Sequence, residues 1–268
     1  MRAVRRTLDG MGTLDGRVAV VTGVSRRAGI GFGLASRLLA EGASVFVQSW
    51  TAHDADQPWG ADPGGIDAVV AALGSPDRLG HLALDLADAD APANIVAAAR
   101  ARFGTVDVLV PNHARSSQQS LESLTAAELD ASWAVNARAT LLLVQAFAAQ
   151  HDDARAGGRV VLFTSGQHLA PMRDELPYAV SKGAIHQMTR SLADHLSARG
   201  ITVNAINPGP TDTGWATPDL ADVVARSMPF GRWGSPADVA NVVAFLVSDN
   251  GAWITGQVID SEGGFRRG

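Results

Sequence analysis

Residues 17–33 read RVAVVTGVSRRAGIGFG, and the fold is decided in this stretch. The run 17–22 (RVAVVT) is short, apolar and rich in β-branched residues, so it reads as a buried strand. Glycines follow at 23, 29, 31 and 33, and a helical pattern runs over 31–41 until Gly42 stops it. Glycine lets a chain turn tightly and lets its backbone approach a ligand closely. The helix beyond offers unpaired N–H groups and the positive end of its dipole. After the first strand of an alternating chain, this order suits a pyrophosphate. Gly23, Ser25, Arg26, Arg27, Gly29, Ile30 and Gly31 are the candidate cofactor-binding residues of the turn.

Outward from this unit, strand and helix alternate to the end of the chain. Strands are expected over 44–49 (SVFVQS), 81–84, 106–110 (VDVLV), 159–164 (RVVLFT), 201–206 (ITVNAI) and from 257–259. Helices are expected over 66–73, 92–103, 126–150, 178–199, 220–227 and 236–246, and 51–65 reads as a polar loop. Parallel strands need crossover connections, so the alternation specifies an α/β fold with a doubly wound parallel sheet of about seven strands and helices on both faces. Continuously apolar strands agree, since both sheet faces are then covered. No composition break divides the 268 residues, so 14–268 are expected to form a single domain behind a flexible extension, 1–13. Met11 reads as an alternative start.

Composition excludes several functions. At 46% hydrophobic residues the chain can bury a substantial core, and a net charge of −5 offers no basic field to nucleic acid. There is no cysteine, hence no disulfide or thiolate metal site, and the 7 histidines lack metal-ligand spacing, so no metal is expected. No apolar run is long enough to span a membrane, and the first dozen residues lack the apolar core of a secretory signal. A cytoplasmic location is the expectation.

The chain has 1 tyrosine, and its one lysine lies four residues further on: Tyr178 and Lys182, in PYAVSKG (177–183). The spacing stacks both side chains on one helix face. A fixed ammonium near a phenol favours phenolate and so is expected to lower its pKa toward a usable general acid or base. For the cofactor, an acidic residue ending the second strand would favour NAD by bonding the ribose 2′-OH. Here that strand ends Val47-Gln48-Ser49-Trp50, while Arg26 and Arg27 stand in the turn, and guanidinium pairs well with phosphate. NADP(H) is therefore expected over NAD(H).

Together these features resemble the short-chain dehydrogenase/reductase family over 14–265, most closely its 3-oxoacyl-carrier-protein-reductase-like branch. The resemblance implies a Rossmann fold and a catalytic set of Asn136, Ser165, Tyr178 and Lys182. Ser165 ends the fifth strand 13 residues before the tyrosine, and Asn136 lies in Val135-Asn136-Ala137. It further implies cofactor contacts from Ser49, Asp85, Leu86, Asn112, Tyr178 and Lys182, and from Pro208, Gly209, Thr211 and Thr213 on the nicotinamide side. Tyr178 would donate a proton to a carbonyl oxygen, Lys182 would lower its pKa and hold the nicotinamide ribose, Ser165 would bond the carbonyl oxygen, and Asn136 would support a water beside Lys182. Two departures stand out. The phosphate turn is two residues longer than usual, and the usual Asn-Asn-Ala-Gly reads Pro111-Asn112-His113-Ala114.

The expected activity is reduction of a ketone or oxidation of a secondary alcohol on a small-molecule substrate. A non-catalytic NADP(H)-binding regulator and a dehydratase or epimerase on the same fold are the alternatives. Gln167, His168, Met172, Trp215 and Met228 would border the substrate by analogy. His168 reads equally as a solvated loop residue, while Trp50 and Trp59 would cover the cofactor or pack within their loop. Apolar runs such as 141–144 and 185–192 imply, by resemblance, a homodimer or homotetramer.

Overall fold

The structure is a computed structural model describing residues 12–155 and 157–267. The expected extension lies outside the described residues except for Gly12 and Thr13, as does Met11. Thr13 is already anchored, its hydroxyl donating to Glu41 Oε2 at 2.5 Å.

The elements follow in the order β1 (Val18–Val21), α1 (Ile30–Ala40), β2 (Ser44–Ser49), α2 (Thr51–Ala55), α3 (Gly65–Leu73), β3 (Leu79–Ala83), α4 (Ala91–Phe103) and β4 (Val108–Val110). There follow α5 (Ala126–Ser132), α6 (Ala139–Gln150), β5 (Arg159–Phe163), α7 (Leu176–Ser197), β6 (Thr202–Asn207), α8 (Pro218–Ser227), α9 (Pro236–Val247) and β7 (Val258–Asp260). The strands form one sheet in the order β3-β2-β1-β4-β5-β6-β7. Every neighbouring pair in it is parallel. The single-domain doubly wound sheet of seven strands read from the sequence is present.

Side chains alternate across each strand, and the alternation divides the core in two. Ala19 and Val21 of β1 pack with Leu34 and Leu38 of α1, Val69 of α3 and Val243 of α9. Val18 and Val20 pack on the other face with Ile95 of α4, Leu143 and Phe147 of α6 and Ile185 of α7. From β3 at one edge the chain crosses back to β4 beside β1, so the connections leaving β1 and β4 diverge. A crevice opens outside the carboxyl ends of the strands at such a switch point. The turn after β1 and the segments after β2, β3, β4, β5 and β6 all lie along that edge, and they hold the residues singled out from the sequence.

Two expected elements differ. The region 51–65 contains the short helix α2 and meets the start of α3. The single helix expected over 126–150 is interrupted by a π-helical stretch, Trp133–Arg138. Its first part starts as a helix should, with the Thr125 hydroxyl accepting from the Glu128 amide. Among the described residues, no helix is long and apolar enough to cross a membrane.

Candidate active site

The phosphate turn is built against the segment after β4. Gly23 has φ +74°, and a Cβ there would lie 2.8 Å from the His113 Cα. A Cβ on Gly31 would lie 2.4 Å from the Gly23 carbonyl oxygen, so only glycine fits either place. Asn112 Nδ2 donates to the carbonyls of Thr22 (3.1 Å) and Gly23 (3.3 Å). Gln48, a buried amide in a strand of apolar and small residues, accepts from Gly23 N at 3.0 Å and donates to Leu84 O at 2.7 Å. It locks the turn to the end of β3. Gly29 caps α1 without a side-chain hydrogen bond, so that helix presents its first-turn amides to the crevice. These glycines and uncapped amides fit the pyrophosphate of a dinucleotide.

Ser25 Oγ accepts from Trp50 N at 3.1 Å and joins the turn to the end of β2, where the Ser49 hydroxyl meets His81 Nε2 at 2.8 Å. Both arginines of the turn already hold carboxylates. Arg26 Nε lies 3.0 Å from Asp54 Oδ1. Arg27 grips Asp62 through Nε (3.0 Å) and Nη2 (2.7 Å), while its amide donates to the same carboxylate at 2.9 Å. The guanidinium holds Asp62 well below the usual carboxylate range. Neither aspartate was singled out from the sequence, since a polar loop gives no sign of which distant cation it will meet.

Ser165, Tyr178 and Lys182 converge where β5 ends and α7 begins. The Ser165 hydroxyl stands close enough to the Tyr178 phenol to favour its ionised form. Lys182 Nζ lies 5.6 Å from the centre of the Tyr178 ring and donates to Phe163 O at 2.9 Å. Thr164 Oγ1 donates to Lys182 O at 3.0 Å, tying α7 to the strand end. The expected lowering of the phenol is reversed in the folded chain. Burial pushes Tyr178 up to about 12, with the Ser165 hydroxyl pulling the other way. Lys182 is itself brought down to about 8 by burial and still carries its charge at neutral pH.

Asn136 lies in the π-helical stretch, and its side chain makes three hydrogen bonds. Oδ1 accepts from Arg115 N at 2.6 Å, and Nδ2 donates to Arg115 O (3.0 Å) and Ser181 Oγ (2.8 Å). It braces the segment after β4 against α7. The neighbouring His113 is buried and is drawn down to about 3 by desolvation, with the Lys182 charge adding to the effect. A neutral imidazole donates from Nε2 to Val135 O (2.9 Å) and accepts at Nδ1 from the Thr22 hydroxyl (2.7 Å). The departure at position 113 is thus a structural tie between β1 and the π-helical stretch.

The remaining expected contacts sit around the same edge. Asp85 Oδ1 accepts from Ala87 N at 2.8 Å in a turn, and Leu86 is buried. Gly209, with φ +60°, is covered by Glu262, and Thr211 Oγ1 donates to Pro208 O at 3.3 Å. Thr213 O accepts from Arg26 Nη1 at 3.0 Å. His168 lies 3.2 Å from Asp260 and packs against the His186 ring, with part of its side chain open to solvent. Trp59 packs in its own loop, donating to Asp54 Oδ1 at 3.0 Å. Among the described residues no group of His, Asp or Glu could hold a metal ion.

A phenol, a hydroxyl and an amine gathered beside a pyrophosphate-shaped turn define a class: an α/β oxidoreductase of the dinucleotide-binding kind. A family profile described as enoyl-(acyl carrier protein) reductase matches residues 23–266. An uncharacterised oxidoreductase of Bacillus subtilis (strain 168) is 39% identical over 253 residues, 94% of this chain and 98% of that protein. An NADPH-dependent aldehyde reductase-like chloroplastic protein of Arabidopsis thaliana is 32% identical over 94% of this chain and 95% of its own. A blue fluorescent protein from a metagenomic library, solved in complex with NADPH, superposes with a TM-score of 0.82 at 31% identity, covering 95% of this chain and 100% of its own. The chain belongs to the short-chain dehydrogenase/reductase family, and it is an oxidoreductase of that family.

Proposed function

We propose that the protein is an NADP(H)-dependent carbonyl reductase or alcohol dehydrogenase, interconverting a ketone and a secondary alcohol with Tyr178 as general acid and base. The observation that carries this reading is the meeting of Ser165, Tyr178 and Lys182 at the carboxyl edge of the sheet, beside the glycine turn. NADP(H) is supported by the two NADPH-linked relatives. When bound, the cofactor supplies or accepts a hydride. Gly23, Ser25 and Gly29–Gly31 would hold its pyrophosphate, with Arg26 and Arg27 alongside. Ser49, Asp85, Leu86 and Asn112 would serve its adenosine side, and Pro208, Gly209, Thr211 and Thr213 its nicotinamide.

The protein's part is orientation and proton transfer. Tyr178, kept protonated by burial, donates its phenolic proton to the carbonyl oxygen and recovers one from the alcohol in the reverse direction. Ser165 places its hydroxyl where negative charge develops on that oxygen. Lys182 sets a positive charge beside the ring and would hold the nicotinamide ribose. Asn136 fixes α7 against the segment after β4, which keeps Tyr178 and Lys182 in register. The active form is a homodimer or homotetramer in a cytoplasmic setting.

Fluorescence titration with NADPH and NADH, followed by a carbonyl screen with the tighter cofactor, tests the reading. Tighter NADPH binding and turnover of a ketone or aldehyde are expected. Binding without turnover on any carbonyl or alcohol would favour a regulator, and product formed without net cofactor consumption would favour a dehydratase or epimerase.

A further inference from the structure

We propose that Arg26 is a clasp across the dinucleotide crevice, fastening its two lips over NADPH and NADH alike, and that it does not read the 2′-phosphate. The inference rests on the dinucleotide-binding reading above. Arg26 lies in the turn after β1, but it makes contacts in both directions along the sheet edge. Its Nε is 3.0 Å from Asp54 Oδ1 in α2, the helix that follows β2. Its Nη1 donates at 3.0 Å to the carbonyl of Thr213, beyond β6. The indole N–H of Trp59 donates to the same Asp54 oxygen at 3.0 Å, and the guanidinium stands 5.7 Å from the Trp59 ring centre.

The two loops that meet at this one guanidinium come from strands far apart in the sheet. β1, β4 and β5 lie between β2 and β6. At about 4.8 Å per step, β2 and β6 are about 19 Å apart. The β1/β4 switch point lies between them, so a side chain linking the loops that follow β2 and β6 crosses the crevice where a dinucleotide lies. The side chains of Arg26 and Asp54 are only 15% and 17% exposed, which marks a settled contact rather than a solvated one.

The same pairing argues against phosphate recognition. Arg26 is matched by Asp54 and Arg27 by Asp62. Each guanidinium therefore already has its carboxylate, and a 2′-phosphate would have to share with Asp54 a charge already matched. A clasp contributes equally to retention of either dinucleotide, because it acts on the lips of the crevice and not on the group that distinguishes the two.

Equilibrium fluorescence titration and stopped-flow release of NADPH and of NADH, on the wild type, Arg26→Met, Asp54→Asn and the double variant, test this. Arg26→Met and Asp54→Asn are each expected to weaken both dinucleotides by the same factor, about tenfold, mainly by faster release. The double variant is expected to be no worse than either single one, since all three remove one linkage. If Arg26 reads the phosphate, Arg26→Met weakens NADPH alone and Asp54→Asn, by freeing the guanidinium, tightens NADPH; either result overturns the clasp. Unchanged release of both dinucleotides overturns it as well. Thermal unfolding without dinucleotide checks that the variants fold, and Asp54→Asn carries the test if Arg26→Met does not. A wild type that binds neither dinucleotide would overturn the reading of the site itself, a result distinct from failure of the clasp.

Discussion

At Tyr178 burial and the Ser165 hydroxyl act in opposite directions, and burial dominates, leaving the phenol at about 12. The site therefore stores the proton on the oxygen that gives it away. Tyr178→Phe keeps the ring and removes the proton, so turnover should fall at least about 100-fold while NADPH affinity stays nearly unchanged. Steady-state kinetics together with the binding titration check this. Lys182, at about 8, loses its charge within an accessible range. Reduction that needs the ammonium should decline as pH rises through about 8, and Lys182→Arg should remove that inflection from the pH–rate profile. His113 makes a separate prediction about stability. Its proton affinity is lower folded (about 3) than unfolded (6.5), so the unfolded chain binds the extra proton between these values. The contribution of His113 is complete above about 6.5 and is lost as pH falls toward about 3, so the stability gap between wild type and His113→Asn should narrow across that window in denaturant titrations.

At the scale of elements, the turn after β1 is the least tolerant of substitution. Gly31→Ala would drive a Cβ to 2.4 Å from the Gly23 carbonyl oxygen, a backbone atom that cannot rotate away. A loss of about 1–3 kcal/mol in stability is expected, with a larger proportional loss of dinucleotide affinity, measurable by denaturation and titration. Such constraints were legible because strand, glycine turn and helix are local signals. Each strand also carries its own apolar pattern. The π-helical stretch was not legible: residues 126–150 have an ordinary helical pattern. The Asn136 and His113 contacts that accompany the stretch join residues more than 20 positions apart in the chain. The same limit explains the arginines. Arg26 and Arg27 advertise a phosphate, while Asp54 and Asp62, which meet them, stand 28 and 35 residues further on in a stretch with no periodic signal. Gln48 left a faint trace, one amide in a strand otherwise built from apolar and small residues.

For the whole molecule, the sheet gathers groups from six separate segments along one edge and leaves apolar side chains on the outside elsewhere. Trp133 (50% exposed) and Leu141 (44%) lie along the α5–α6 rod, whose buried side packs into the core. If a homo-oligomer forms on this surface, Leu141→Glu should lower the mass seen by light scattering and leave the monomer folded by circular dichroism. Lys182 has a consequence of a different kind. The chain's one ε-amine is 2% exposed, at the base of the crevice, and every other side-chain cation of the Lys+Arg count is a guanidinium. Acylating dyes, activated-ester cross-linkers and aldehyde resins therefore find almost nothing to attach to on the folded surface, save an α-amino terminus. Protein that takes up a second equivalent of such a reagent will have been modified at the deprotonated Lys182 amine beside Tyr178 and will have lost its activity with it.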